Sequence, residues 1–313
     1  MSNLIFSLNA SLPVFCTMML GWLFRRIGVM DERFASAANS FVFKIALPVN
    51  LFNQLYAVDI LAVWDTTFVA YCFAATFLSI AIAWLLSHFV TPRDKGEFVQ
   101  ASYRSSSSLL GMAYIQNVYG TAEMGSLMII GAVPLYNVAA VLILSLMKPD
   151  GGALNGAKLK KTLKGVATNT IIWGILIGML WAMLKLPMPT FCAKTISNVA
   201  ATSTPLGLMA MGAQLDFKKM GGALRSALGA SFLKLVGFAA IFVPVAVMLG
   251  YREQKLMAAL IMLGSATTVT SYVTARNMGH DGVLSSAVTM LTTLLSAVTL
   301  TFWIYLLKSL GML

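Results

Sequence analysis

Ten apolar runs, each long enough to cross a bilayer as a helix, follow one another along this chain with little sequence between them. They lie at approximately 3–24, 34–55, 64–90, 97–118, 123–147, 167–187, 190–214, 224–250, 254–278 and 282–308, and roughly 20 helical residues span the hydrocarbon. Lipid offers no hydrogen bonds to a backbone, so runs of this length are expected to be helices. With 58% hydrophobic and 11% charged residues, the composition excludes an ordinary soluble domain, where about a quarter of residues are charged. The expected fold class is therefore an all-α membrane protein in contact with the lipid bilayer.

A formal charge of +11 would suggest a nucleic-acid partner in a soluble protein. Here the basic residues gather in short loops, so their role is topological and no nucleic acid is expected. Arg25, Arg26, Arg33, Arg93, Lys95, Lys148, Lys158, Lys160, Lys161, Lys164, Lys218, Lys219, Arg225 and Arg276 fall on one side, against Lys185, Arg252, Lys255 and Lys308 on the other. The richer side is cytoplasmic by the positive-inside rule, which puts both termini outside. The N-terminal run has no basic region before it and no cleavage pattern, and it reads as a retained helix. Cys16, Cys72 and Cys192 lack the spacing of a metal or redox pair and read as core residues; neither a cofactor nor a metal is expected.

The Gly- and Lys-rich stretch 148–166 divides the chain near its middle and reads as a cytoplasmic linker between halves 1–147 and 167–313. Leu47-Pro48-Val49-Asn50-Leu51 answers Thr204-Pro205-Leu206-Gly207-Leu208, and Tyr114 to Gly120 answers Tyr272 to Gly279, at a near-constant offset of about 158 residues. Five spans per half is an odd number, so the second half inserts upside down. Ten transmembrane helices in two inverted five-helix repeats follow, with the shared site near the bilayer midplane.

Two of the runs carry dense polar clusters at matching places: Arg104-Ser105-Ser106-Ser107-Ser108, and Ser265 to Tyr272 through Thr267, Thr268, Thr270 and Ser271. Polar backbone at membrane depth survives only where protein or a water-filled cavity satisfies it, so the two clusters are expected to form one site.

Further motifs are Asn39-Ser40-Phe41-Val42-Phe43-Lys44-Ile45-Ala46-Leu47-Pro48 with Asn50-Leu51-Phe52, Ser271-Tyr272-Val273-Thr274-Ala275-Arg276 with Gly279, Thr292-Thr293-Leu294-Leu295-Ser296, and Ser106 to Ala113. In these the chain resembles the auxin efflux carrier superfamily, which includes bacterial carriers of malonate, malate and similar acids. The resemblance implies that helices four and nine are broken and cross at the substrate site, that spans one, two, six and seven form a scaffold, and that the protein is a homodimer. Ala113 and Ala266 stand where the family has helix-breaking prolines. The two clusters are therefore expected to be more continuous helix than in the family, with hydroxyls and Gly111 and Gly264 supplying what bend there is.

Four basic residues, Lys44, Arg104, Lys194 and Lys234, fall inside the proposed spans, whereas the acidic residues map to loops or span edges. An intramembrane cation without a partner marks a functional site, and an anionic substrate would supply the missing charge. Lys194 lies about one turn inside its span and is expected to snorkel; Lys234 is given a structural role; Lys44 and Arg104 are counted with the site. Arg104 is the leading anion contact, because its fork suits a carboxylate. Asn50 and Asn137 complete a candidate set of Lys44, Asn50, Arg104, Ser106, Ser107, Ser108, Asn137, Thr267, Thr268, Thr270, Ser271 and Tyr272, with Asn53 and Gln116 as further polar candidates.

The function expected is a secondary carrier of a small organic anion, a mono- or dicarboxylate such as malonate or malate, working by alternating access in a bacterial inner membrane. With no membrane carboxylate to relay protons, uniport or anion exchange is expected over proton symport, with sodium coupling left open. A passive channel or sensor shares the topology. A membrane enzyme would need an acid–base pair or a nucleophile with its base, which His88 and His280 at different span edges do not provide, so no catalytic residues are assigned.

Overall fold

The computed structural model describes residues 2–56, 64–107, 115, 119, 123–148, 164–165, 167–215 and 217–313. Every regular element among them is helical and no strand occurs. Helix α1 (Ser2–Arg26) ends on Arg25 and Arg26, whose charge suits a helix C-terminus. Helix α2 begins at Glu32, where Asp31 caps it by accepting from the Phe34 amide at 2.7 Å, and runs to Phe41. It continues through a π turn, Val42–Ala46, into Leu47–Leu55. The π turn ends two residues before Pro48, whose missing N–H leaves the Lys44 carbonyl without its i+4 donor.

Helix α3 (Thr66–Leu86) starts on Asp65, which accepts from the amides of Thr67 and Phe68 at 3.0 Å each. Then come α4 (Lys95–Tyr103), α5 (Glu123–Leu146), α6 (Thr170–Met183), α7 (Thr190–Ala201) and α8 (Ser203–Ala213). Helix α9 (Phe217–Phe232) passes through a second π turn, Leu233–Gly237, and continues as Phe238–Met248. The last three are α10 (Glu253–Gly264), α11 (Thr270–Asn277) and α12 (Val283–Ser309).

Among the described residues, five helical stretches are long and apolar enough to cross a membrane: Glu32–Leu55, Thr66–Phe89, Leu127–Leu146, Gly221–Met248 and Val283–Ser309. Thr170–Met183 is apolar but shorter. Large apolar side chains such as Phe77, Leu85, Phe191, Phe232 and Phe302 stand exposed on the outside, as a lipid-facing surface requires. Of the cysteines only Cys72 is buried; Cys16 is exposed and Cys192 half-buried. The expectation of three core cysteines is corrected, since in lipid an outward-facing thiol costs little.

Lipid is as apolar as leucine, so these helices associate by close packing and small residues at their crossings. Helix α1 packs along α8, α2 along α6, α3 against α5 and α9 against α12. At the first crossing Gly21 lies against the backbone of Met209 and Gly212 against that of Met18. At the second, Gly174 and Gly178 admit the backbones of Pro48 and Phe52.

The feature that positions the site is a pair of helix ends meeting inside the protein. Helix α4 stops at Tyr103 and the chain turns extended at Arg104 (φ −68°, ψ 132°). Helix α10 stops at Gly264, with Ser265 extended (φ −80°, ψ 166°), and helix resumes only at Thr270. Helix stops at both places, as expected for broken helices four and nine, and it does so sharply although no proline stands at either stop. The reason lies in the partners the freed backbone finds. The Ser106 amide donates to the Ala266 carbonyl at 2.9 Å, and the Ser105 and Ser265 hydroxyls are 2.6 Å apart. The Thr267 amide donates to the Thr292 hydroxyl at 3.0 Å, while its own hydroxyl donates to the Ala101 carbonyl at 2.8 Å. Each half of the chain satisfies the break in the other.

Candidate functional site

A cleft enclosing about 500 Å³, including its open mouth, lies where the two breaks meet α2, α5 and α8. Leu47, Asn50, Leu51 and Gln54 line it from α2 and Thr204 from α8. Facing them are Arg104, Ser105 and Ser106 at the first break, Val133, Tyr136 and Asn137 on α5, and Thr268 and Thr270 at the second break. The positions on α2 recur at helical spacing, which puts one face of that helix on the cleft.

Arg104 is the charged member, and it is 2% exposed. One terminal nitrogen donates to Asn137 Oδ1 at 2.7 Å and to Thr270 Oγ1 at 2.9 Å; the other reaches Thr274 Oγ1 at 3.4 Å. Asn137 is held in turn by donating to the Val133 carbonyl at 2.9 Å. All these acceptors are neutral, and the Arg104 Nε has no partner among the described residues. The described ion pairs, Arg25–Glu32, Arg93–Asp281 and Lys255–Asp65, lie elsewhere. Arg104 thus brings a full positive charge to the cleft wall with no protein carboxylate paired to it among the described residues. Its fork is already partly engaged, so a carboxylate clasping it through two parallel bonds has to displace Asn137 or Thr270.

Of the candidate residues read from sequence, the structure brings Asn50, Arg104, Ser106, Asn137, Thr268 and Thr270 together on the cleft. Ser107, Thr267 and Ser271 are buried behind it; Thr267 serves the crossing itself, and Ser271 lends its carbonyl to Gln100 Nε2 at 2.8 Å. Tyr272 is buried and donates its hydroxyl to Gln214 Oε1 at the end of α8. Lys44 is not brought to the cleft: a regular helix would stack it on the face of Leu47 and Leu51, but it lies within the π turn Val42–Ala46, which shifts the register, and it is exposed. Asn53 is half-buried on α2 and is not part of the lining either. Ser108 and Gln116 lie outside the described residues. Lys194 is exposed, in keeping with a snorkelling stem. Lys234 is wholly buried and donates to the carbonyls of Met262 and Leu263 at 3.0 Å each.

Sequence reasoning missed Gln54, Tyr136 and Thr204. Gln54 carried a signal, one helical turn after Asn50 on the same face. Thr204 stands at the place in the second half that answers Leu47 in the first. Tyr136 gave no signal beyond its place next to Asn137.

The family described as membrane transport protein matches residues 6–304. The chain belongs to that family. An uncharacterized transporter of Methanothermobacter thermautotrophicus is 22% identical over 302 residues, covering 95% of this chain and 97% of its relative. The family is the auxin efflux carrier group that the sequence motifs resemble, and its members are transporters, not enzymes. A multi-pass membrane transport protein is the function this supports directly.

Proposed function

We propose that the chain is a secondary carrier of a small organic anion, a mono- or dicarboxylate such as malonate or malate, bound where the two helix breaks cross. The observation that carries this reading is Arg104: a buried guanidinium on the wall of a cleft, bonded among the described residues only to neutral groups. A buried charge is costly unless paired, so an anion is the ligand that relieves it. Hydroxyls of Ser106, Thr268 and Thr270 and the amides of Asn50 and Gln54 add neutral hydrogen-bonding capacity for carboxylate oxygens.

The architecture we infer is ten spans in two inverted five-helix repeats, 1–147 and 167–313, joined by the linker 148–166. Both termini face outward from a bacterial inner membrane, and the carrier is a homodimer. In this arrangement α1, α2, α6, α7 and α8 form the scaffold, and the remaining helices carry the site past it. The proposed cycle is uniport or anion exchange, since the acidic residues map to loops or span edges and the buried Glu97 is engaged by the amides of Gly282 and Ser285.

Uptake of labelled malonate, malate and oxalate into proteoliposomes, with and without imposed ion gradients, tests the proposal. Saturable uptake and acceleration by the same acid on the opposite side are expected. Uptake that neither saturates nor shows counterflow would assign a passive channel instead, and no flux of any small acid would end the anion reading.

A further inference from the structure

An α-helix leaves its last carbonyls without internal partners, and α10 ends at Gly264 inside the protein. Groups from elsewhere meet them. The Ile261 carbonyl accepts from the Ser265 amide at 3.1 Å and the Ser105 hydroxyl at 3.2 Å. The Met262 carbonyl accepts from Tyr136 Oη at 3.3 Å and from Lys234 Nζ at 3.0 Å, and the Leu263 carbonyl from the same ammonium at 3.0 Å. Lys234 is 0% exposed and makes no ion pair among the described residues. What balances its charge is carbonyl oxygen at the negative end of a helix.

Carbonyls at the C-terminal end of an interrupted membrane helix are also the ligands that hold a coupling sodium ion in many carriers. The Lys234 stem leaves α9 within its π turn and delivers an ammonium onto that ligand type. Two residues beyond Leu263, Ser265 makes the crossing bond to Ser105. We propose that the Lys234 ammonium is a resident cation filling what would otherwise be an alkali-cation site at the end of α10, so that the crossing is held without an inorganic cation from solution. The wild-type carrier therefore needs no sodium, and removal of the amine uncovers a site for it. The transport part of this inference rests on the anion-carrier reading; the binding part does not.

The test compares purified wild type, Lys234→Ala and Lys234→Met in sodium, lithium and choline chloride at equal ionic strength, with no organic acid present. Wild type is expected to melt at one temperature in all three salts. Lys234→Ala, which leaves two carbonyls facing vacated space, is expected to melt lower in choline and to recover with sodium in a saturable way, as a ligand held only by the folded state requires. Lys234→Met, which fills the space with an apolar stem, is expected to melt lower in every salt without recovery. Should Lys234→Ala not accumulate, Lys234→Ser replaces it and supplies one further oxygen. Saturable sodium stabilisation of wild type, a malonate flux of wild type that requires sodium, or equal salt responses of the alanine and methionine variants would each overturn the proposal. Absence of flux for every acid removes the carrier reading while leaving the melting comparison decisive for Lys234.

Discussion

The hydroxyl oxygens of Ser105 and Ser265 lie 2.6 Å apart, joining the end of α4 to the end of α10 across 160 residues of chain. Ser105 also reaches the Ile261 carbonyl at 3.2 Å, so it touches the second break at two points. Replacing either serine by alanine is expected to destabilise the protein by about 0.5–1.5 kcal/mol, the net worth of a buried hydrogen bond. The double variant should cost less than the sum of the two, because the residues share one interaction. Thermal unfolding of the four proteins in one detergent measures the coupling; strict additivity would show that the crossing is held by something else.

Arg104→Gln removes the charge from the cleft while leaving a hydrogen-bonding amide. A charge-assisted hydrogen bond is worth roughly 1.5–3 kcal/mol, so the half-saturating concentration of the transported acid is expected to rise about 10–100-fold. Initial-rate uptake across a concentration series reads this directly. A change in the amount of folded protein with unaltered half-saturation would make Arg104 a packing residue.

Gly174 leaves no room for a side chain: a Cβ there would stand 2.4 Å from the Pro48 carbonyl oxygen. Gly174→Ala is expected to force α6 away from α2 and to cost about 1–3 kcal/mol, as overpacking does. Gly222, on α9, meets nothing within 4 Å. Gly222→Ala is expected to hold or slightly raise the melting temperature, because alanine favours helix by about 1 kcal/mol over glycine. The pair of variants separates close packing from helix propensity.

Asp65, just ahead of α3, is held well below the usual carboxylate range by its hydrogen bond from Lys255, then by the Phe68 amide and the Thr67 side chain. A carboxyl with a lowered folded-state value stabilises the protein above its unfolded value of about 3.9 and loses that contribution as the pH falls further. The melting-temperature gap between wild type and Asp65→Asn is therefore expected to be full at neutral pH and to shrink only below about pH 4. A gap that closes between pH 8 and pH 6 would contradict this assignment.

Much of the cleft's polar lining was legible because its signals were chemical. Arg104, Asn137 and the hydroxyl clusters are polar residues in apolar runs, and lipid makes such residues conspicuous. What sequence could not give was register around the breaks. Thr267 and Thr268 are neighbours, yet the first points into the crossing and the second into the cleft. Lys44 was counted with the site beside Arg104 and faces outward instead. The sharpness of the break at Ser265 was also illegible, because proline is a local signal, whereas the partners that replace it come from Ser106, Ala101 and Thr292 far along the chain. Helix content and the apolar spans were legible for the simplest reason, that lipid permits little else.

Helix α12 begins at Gly282, whose amide donates to Glu97 at 2.9 Å, with the Ser285 amide donating to the other carboxylate oxygen at 2.8 Å. That cap was synthesised 185 residues earlier. Until α12 arrives, the Glu97 carboxylate has neither of these donors, and until α4 is seated, α12 has no cap. Biogenesis therefore passes through a mutual dependence between an early segment and one made 185 residues later, giving the insertion and quality-control machinery of the cell a point at which a chain lacking α12 differs chemically from one that has it.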